Sequence, residues 1–346
     1  MTQPPPAPPN APPPSDALWT NWSQLDADQQ SDLVAFLDHL ATIGEPAEVL
    51  ARLHTDLETF ARVFFSDLMS DGGDPVPPAQ FHHELYQIIQ DAILKQGVYA
   101  REKAGAVVAA PRGHAKSSLL LMGVIWAVCE EHKRFPVILS GTDDQAEKIG
   151  LNIRREFEDN RFLRLYYGDL TGFAYKRKWT LKDFTLIKSD PESGRERYTA
   201  HIMVRGSGAS VRGARIGAVR PDLVIADDVD TDVAVESQVE RDWLFDVWWS
   251  GQILPMLHPQ KGSIIVVGTI LHFDSLLARL LRRDTVYEVR RWTCYDEETG
   301  RPIWPERFPL WRLKQIQRDT PRAFALEYLN DPTQTGTQPF RPEGVR

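Results

Sequence analysis

Ala109-Ala110-Pro111-Arg112-Gly113-His114-Ala115-Lys116-Ser117-Ser118 is the stretch from which the rest of this 346-residue chain can be read. An apolar run, Ala106–Ala110, leads into it, and a second apolar series (Leu119, Leu120, Leu121, Val124, Ile125) leads out at helical spacing. The pattern predicts a short buried strand, a glycine turn, and a helix from Lys116 to about Glu131. Backbone N–H groups at such a helix start, aided by the helix dipole, face phosphate oxygens. In loops of this kind a lysine reaches the β/γ-phosphates and a hydroxyl ligates Mg²⁺. Lys116 and Ser117 stand at those positions, with Gly113, His114, Ala115 and Ser118 as the surrounding cradle. The fit to G-x-x-x-x-G-K-[ST] is imperfect. Ala110 and Ala115 occupy both glycine positions, and the loop's glycine is Gly113.

Working outward, a complementary segment follows about 110 residues after Lys116: Asp222-Leu223-Val224-Ile225-Ala226-Asp227-Asp228. It is an apolar strand that ends in two acids, and the C-terminal ends of such strands are where ligands lie in open α/β sheets. In a nucleotide site Asp227 would hold Mg²⁺ through water, and Asp228 would orient or deprotonate the attacking water. A third apolar run, Ile264–Gly268, ends at Thr269, a position from which a strand tip can sense the γ-phosphate. His272 and Asp274 follow, too few to make a metal site.

Further strand-like and helical runs alternate between these landmarks. Val137–Ser140 precedes a helix near Asp144–Phe157, and a Trp-rich helix near Trp243–Ile253 lies between the second and third landmarks. Alternation of this kind argues for a mostly parallel sheet with helices on both faces. The polar stretch from about Leu165 to Arg205 reads as a hairpin inserted into that sheet domain. Residues 1–17 form a proline-rich tail, with eight prolines in the first 15 positions, expected to be extended. Residues 18–75 read as an acidic pair of helices and a linker. Leu33, Phe36, Leu37 and Leu40 recur at helical spacing, as do Leu50, Leu53, Leu57 and Phe60, and Pro46 opens the second run. The sheet domain takes residues 76–335, and 336–346 begin a further linker.

Composition sets broader limits. With 42% hydrophobic and 25% charged residues, collagen-like, coiled-coil and wholly disordered chains are excluded. The formal net charge of −8 is unlike a simple polyanion binder, yet it is unevenly spread. Residues 1–100 carry three basic against 14 acidic side chains, whereas the remainder carries 37 basic against 34 acidic. A polyphosphate partner therefore stays open. Two cysteines, the lack of a signal-peptide pattern and the lack of a long apolar run suggest a soluble protein of a reducing compartment, with no membrane association.

Taken together these stretches resemble the ATPase domain of a tailed-bacteriophage terminase large subunit, from about Phe81 to Pro332. The loop Pro111–Ser117 is similar to that family's deviant Walker A, with Arg112 four residues before the lysine. Also family-like are Gly141-Thr142-Asp143-Asp144-Gln145-Ala146, Val211-Arg212-Gly213, Arg220-Pro221-Asp222, Gly268-Thr269, Trp304-Pro305-Glu306-Arg307 and Glu327-Tyr328-Leu329-Asn330-Asp331-Pro332. The resemblance implies an α/β P-loop NTPase of ASCE type: a mostly parallel central sheet flanked by helices, plus an N-terminal helical appendage. It implies ATP and Mg²⁺ as ligands, Arg112 as a cis contact to the γ-phosphate, and Arg212 as an arginine finger in trans, with Arg215 and Arg220 as competitors. Gly268 and Thr269 would form a coupling motif, and an adenine-binding segment would fall near Gln80–His83, with Phe81 on the base. Implied partners are double-stranded DNA, further copies in a ring on the portal, the portal protein and the small terminase subunit, in the host cytoplasm at the procapsid vertex.

Two departures from the family pattern stand out. The second acid is Asp228, where glutamate is common, and no carboxylate cluster for the family's C-terminal nuclease follows Asp331. The chain is thus expected to act as a motor domain without nuclease activity. A helicase-like nucleic-acid-dependent ATPase and a non-catalytic docking subunit with a degenerate loop remain as alternatives.

Overall fold

The computed structural model describes residues 26–66, 70–71, 74–171, 178–189, 195–211 and 213–335. Its centre is a seven-stranded sheet built from β1 (Gly105–Ala109), β2 (Pro136–Ser140), β3 (Asp183–Ser189), β4 (Glu196–Gly206), β5 (Leu223–Asp227), β6 (Ser263–Gly268) and β7 (Tyr287–Arg291). The spatial order is β3-β4-β2-β5-β6-β1-β7. Only the β3–β4 pairing is antiparallel; every other neighbouring pair is parallel. All residues of β1, β2, β5 and β6 are buried, as parallel strands covered on both faces must be. Because β6 lies between β1 and β5, the loop after β1 and the acids at the end of β5 sit one strand apart, in the arrangement of an α/β P-loop NTPase. Register keeps the strand ends level: Ala109 pairs with Gly268, and Asp227 with both Val267 and Ser140.

Alternate strand residues feed two apolar layers. Ala106, Val108, Ile138, Ile225 and Ile265 face one side, packed under α4 (Gln80–Leu94) and α5 (Lys116–Cys129). Val107, Ala109, Val137, Val224 and Val266 face the other, packed on Trp248 and Trp249. These tryptophans belong to an eleven-residue π-helix, Trp243–Ile253, where the sequence predicted an ordinary helix.

The polar stretch read as an inserted hairpin is an antiparallel strand pair that forms one edge of the sheet. β3 and β4 pair antiparallel, and β4 continues parallel to β2 from the Val137–Met203 pair onward. The period-two burial of Tyr198, Ala200, Ile202 and Val204, interleaved with polar residues, is what the composition concealed. At the other edge β7 is half exposed and charged, which hides it from an apolar-run search.

Three N-terminal helices replace the expected pair: α1 (Ala27–Ile43), α2 (Pro46–Arg52) and α3 (Leu57–Phe64). Pro46 opens α2 as expected. The additional break comes from Asp56, whose carboxylate accepts the Thr59 N–H and hydroxyl, each at 2.9 Å, and so caps a new helix. These helices are not a separate globule. Phe36, Leu40, Leu57 and Phe60 share one apolar cluster with Leu119 and Trp126, and the Trp126 indole N–H donates to Leu53 O at 2.8 Å. Among the described residues no helix is long and apolar enough to cross a membrane. Cys129 and Cys294 are buried free thiols.

Candidate active site

The loop after β1 is held open by two residues in the left-handed region. Gly113 has φ +75 and lies against the Phe308 ring, so that a Cβ there would approach Phe308 Cζ to 2.9 Å. Ala115, at φ 59 and ψ 14, precedes the first turn of α5. An alanine in this conformation carries strain of roughly 1 kcal/mol. The family-type loop would place glycine here, so the departure noted in the sequence has a backbone cost.

Lys116 is 5% exposed and folds back over the loop. Its Nζ donates to Ala110 O at 2.8 Å and to Thr269 Oγ1 at 2.9 Å. Thr269 in turn donates its backbone N–H to Asp228 Oδ1 at 2.9 Å. The tip of β6 thus stands between the loop lysine and the second acid. Asp228 itself has φ +44 and is exposed, and Gly268 leaves room for it: a Cβ on Gly268 would come within 3.1 Å of Asp228 Oδ1.

Asp227 is buried, and its Oδ1 has no hydrogen-bond partner among the described residues. Burial first, then the adjacent Asp228 charge, push its carboxyl well above the usual carboxylate range, against the pull of the Ser117 hydroxyl and Lys116. An orphaned, desolvated carboxylate oxygen beside the first serine of α5 fits a site for a hydrated divalent cation. Behind Ser117, Ser118 and Asp227 a cavity of about 370 Å³ opens between α5 and α6 (Asp143–Asp159).

Arg112 is exposed at the front of the loop. Its Nη1 bonds Glu327 Oε1 at 2.9 Å, and its backbone N–H bonds Glu327 O at 2.8 Å. Glu327 ends α8 (Pro321–Glu327), which follows α7 (Leu310–Asp319).

Under the loop lies an aromatic shelf. His114 stacks on Phe308, with ring centroids 4.5 Å apart and planes 6° off parallel, and its Nδ1 bonds Arg112 O at 2.9 Å. His82 accepts the Ala79 N–H at Nδ1 and donates from Nε2 to His114 O. Burial depresses both histidines, to about 4 for His114 and about 3 for His82, so both rings are neutral near pH 7. Phe81 is 4% exposed, against His82, His114 and Trp292, with its ring in the shelf.

The structure thus gathers Gly113, His114, Ala115, Lys116, Ser117, Ser118, Asp227, Asp228 and Thr269 at one end of the sheet, with Arg112 beside them. Arg212 lies outside the described residues. Arg215 is exposed, and Arg220 bonds Pro255 O at 3.2 Å. His272 and Asp274 form no metal site: Asp274 is taken by Arg279 at 2.6 Å, and no cluster of three or more metal-ligating side chains occurs among the described residues. Sequence reasoning assigned no role to Glu327, Phe308 or Asn330. Their only signal was membership of late family-like stretches or, for Phe308, an aromatic next to one.

No protein-family model matches the chain, and no curated protein matches it. Solved structures it resembles include a phage large-terminase ATPase domain and a bacteriophage large terminase. The large terminase ATPase domain of Thermus phage P74-26 is similar over 74% of this chain and 99% of its own length, at 14% identity and a TM-score of 0.47. A mutant of that domain gives 15% identity and 0.48 over the same shares. The large terminase of bacteriophage HK97 is similar over 80% of this chain and 55% of its own length, at 13% identity and 0.45.

Proposed function

We propose that this chain is the ATP-hydrolysing motor domain of a viral DNA-packaging terminase, moving double-stranded DNA into a procapsid. The observation that carries the reading is the meeting of Lys116, Ser117, Asp227, Asp228 and Thr269 at the level ends of β1, β5 and β6. Phosphates entering the loop compete with Ala110 O and Thr269 Oγ1 for Lys116. Asp228 accepts a proton from the water that attacks the γ-phosphorus, as the bond to the ADP oxygen breaks. Ser117 and Asp227 would hold Mg²⁺, which when bound offsets charge on the β- and γ-phosphates. Arg112 turns from Glu327 to the γ-phosphate in cis, and Arg212 serves the neighbouring copy's site in trans. The assembled form is a ring on the portal with the small terminase subunit, in the host cytoplasm.

Lys116→Ala is expected to abolish ATP hydrolysis with the fold retained; full-rate hydrolysis in that variant would sink the site assignment. Mixing Arg212→Ala with Asp228→Ala is expected to restore activity in mixed rings, and no rescue at any ratio removes the trans role. One feature favours a second reading, a docking subunit that binds nucleotide without turnover: the strained alanine at position 115. Nucleotide binding with no turnover, in assembled as well as isolated protein, would decide for it.

A further inference from the structure

The segment that follows α8 makes contacts that the nucleotide chemistry above does not use. Asn330 is fully buried and sits at φ 51, a left-handed conformation that asparagine tolerates better than most residues. Its side-chain oxygen accepts the Ile270 N–H at 2.9 Å, and its amide nitrogen donates to Trp292 O at 2.8 Å. Ile270 follows Thr269 at the tip of β6, and Trp292 follows the last residue of β7. These are the two strands that flank β1. One side chain therefore spans the end of the loop strand from one neighbour to the other. Trp292 N–H also donates to Ala109 O, and Ala110 N–H to Gly268 O, so both anchor points are tied to the loop's first residues. Three residues earlier Glu327 grips Arg112 on the loop itself.

We propose that Asn330 is a positioning residue: by fixing Ile270 relative to Trp292 it sets where Thr269 stands between Lys116 and Asp228. The assignment rests on reading the loop as a nucleotide site. An amide is a suitable group, because it offers an acceptor and a donor on one planar end, and both find backbone partners here. Removal leaves the Ile270 N–H and Trp292 carbonyl without their buried partners and frees the tip to drift. Small displacements of this kind act on the chemical step more than on ground-state binding.

The test is single-turnover ATP hydrolysis with protein in excess, giving a maximal rate and a half-saturating concentration. Asn330→Gly keeps the backbone conformation while deleting the side chain. It is expected to lower the maximal rate roughly tenfold or more while half-saturation moves less than about threefold. Thr269→Val is combined with it in a double-mutant cycle. A residue acting through Thr269 gives losses that do not multiply, whereas fully multiplicative losses, or an unchanged rate in Asn330→Gly, overturn the inference. Should Asn330→Gly not fold, Asn330→Asp decides, since it keeps the acceptor for Ile270 but sets a carboxylate oxygen against Trp292 O: a lowered rate with intact fold supports the role, and a near-wild-type rate overturns it. A wild-type chain that turns over no ATP, isolated or assembled, overturns the hydrolysis reading and this inference with it.

Discussion

Lys116 Nζ lies 2.9 Å from Thr269 Oγ1, across 153 positions of sequence, and this bond closes the loop after β1 onto the tip of β6. The ammonium is satisfied by Ala110 O and Thr269 Oγ1, so a buried cation is not left bare. The same hydroxyl and its N–H group face Asp228. Thr269 thus touches both ends of the proposed chemistry before any nucleotide arrives. Thr269→Ser keeps the hydroxyl and is expected to hold ATP turnover within about threefold, while Thr269→Val is expected to lose roughly tenfold or more. Equal rates in the two variants would remove the hydroxyl from the mechanism.

Backbone strain gives a prediction independent of activity. Ala115→Gly relieves a left-handed alanine and is expected to stabilise the protein by about 1 kcal/mol in urea unfolding. Gly113→Ala has the opposite sign, through both its φ of +75 and the approach to Phe308, and should cost about 1–2 kcal/mol. A stabilising Gly113→Ala would contradict the loop geometry.

Asp227→Asn should separate stability from function. It removes a buried charge beside Asp228, so the nucleotide-free protein is expected to gain about 1 kcal/mol or more at pH 8 while hydrolysis is lost. The sign of the pH trend follows from the raised carboxyl. As pH falls, the wild-type acid takes up a proton in the folded state before it does so unfolded, and the advantage of asparagine shrinks. Thermal melts of both proteins from pH 8 to pH 5.5, without nucleotide, check the trend; a constant difference would exclude it.

Two buried histidines, His82 and His114, and the half-buried His132 set an opposing acid limit. Burial lowers His82 to about 3 and His114 and His132 to about 4, from an ordinary 6.5. The unfolded chain therefore binds protons at about 6.5 that the folded chain refuses. Their contribution to stability is complete above pH 6.5 and drains away as pH falls towards 4, by up to about 1.4 kcal/mol per pH unit for each ring. Asp227 offsets part of this. Urea midpoints are expected to fall between pH 6.5 and 4.5, and His132→Leu, remote from the loop, should reduce the pH dependence of stability by up to about 1.4 kcal/mol per pH unit. A midpoint indifferent to pH in that window would be incompatible with neutral, buried rings.

The strands that place the site were legible because parallel strands buried on both faces must be continuously apolar: β1, β2, β5 and β6 fall within a residue of the runs read from sequence. Elements that face solvent on one side left weaker traces. β4 alternates, β7 is mostly charged, and α4 is broken by polar residues, so none stands out as an apolar run. The positions of Lys116, Asp227 and Thr269 followed from motif order, since each is local to a strand end. Glu327 and Asn330 could not be found that way. Their importance lies in contacts across 215 and 60 residues, which only the folded chain creates.

The acidic helices at the start of the chain grip α5 near its far end, through Trp126 and, past its last residue, the bond from His132 to His54 O. At its near end the same helix carries Lys116 and Ser117. Fourteen residues of helix make a strut of about 20 Å, stiff along its axis. One helix therefore joins the packing of the acidic helices to the loop that follows β1.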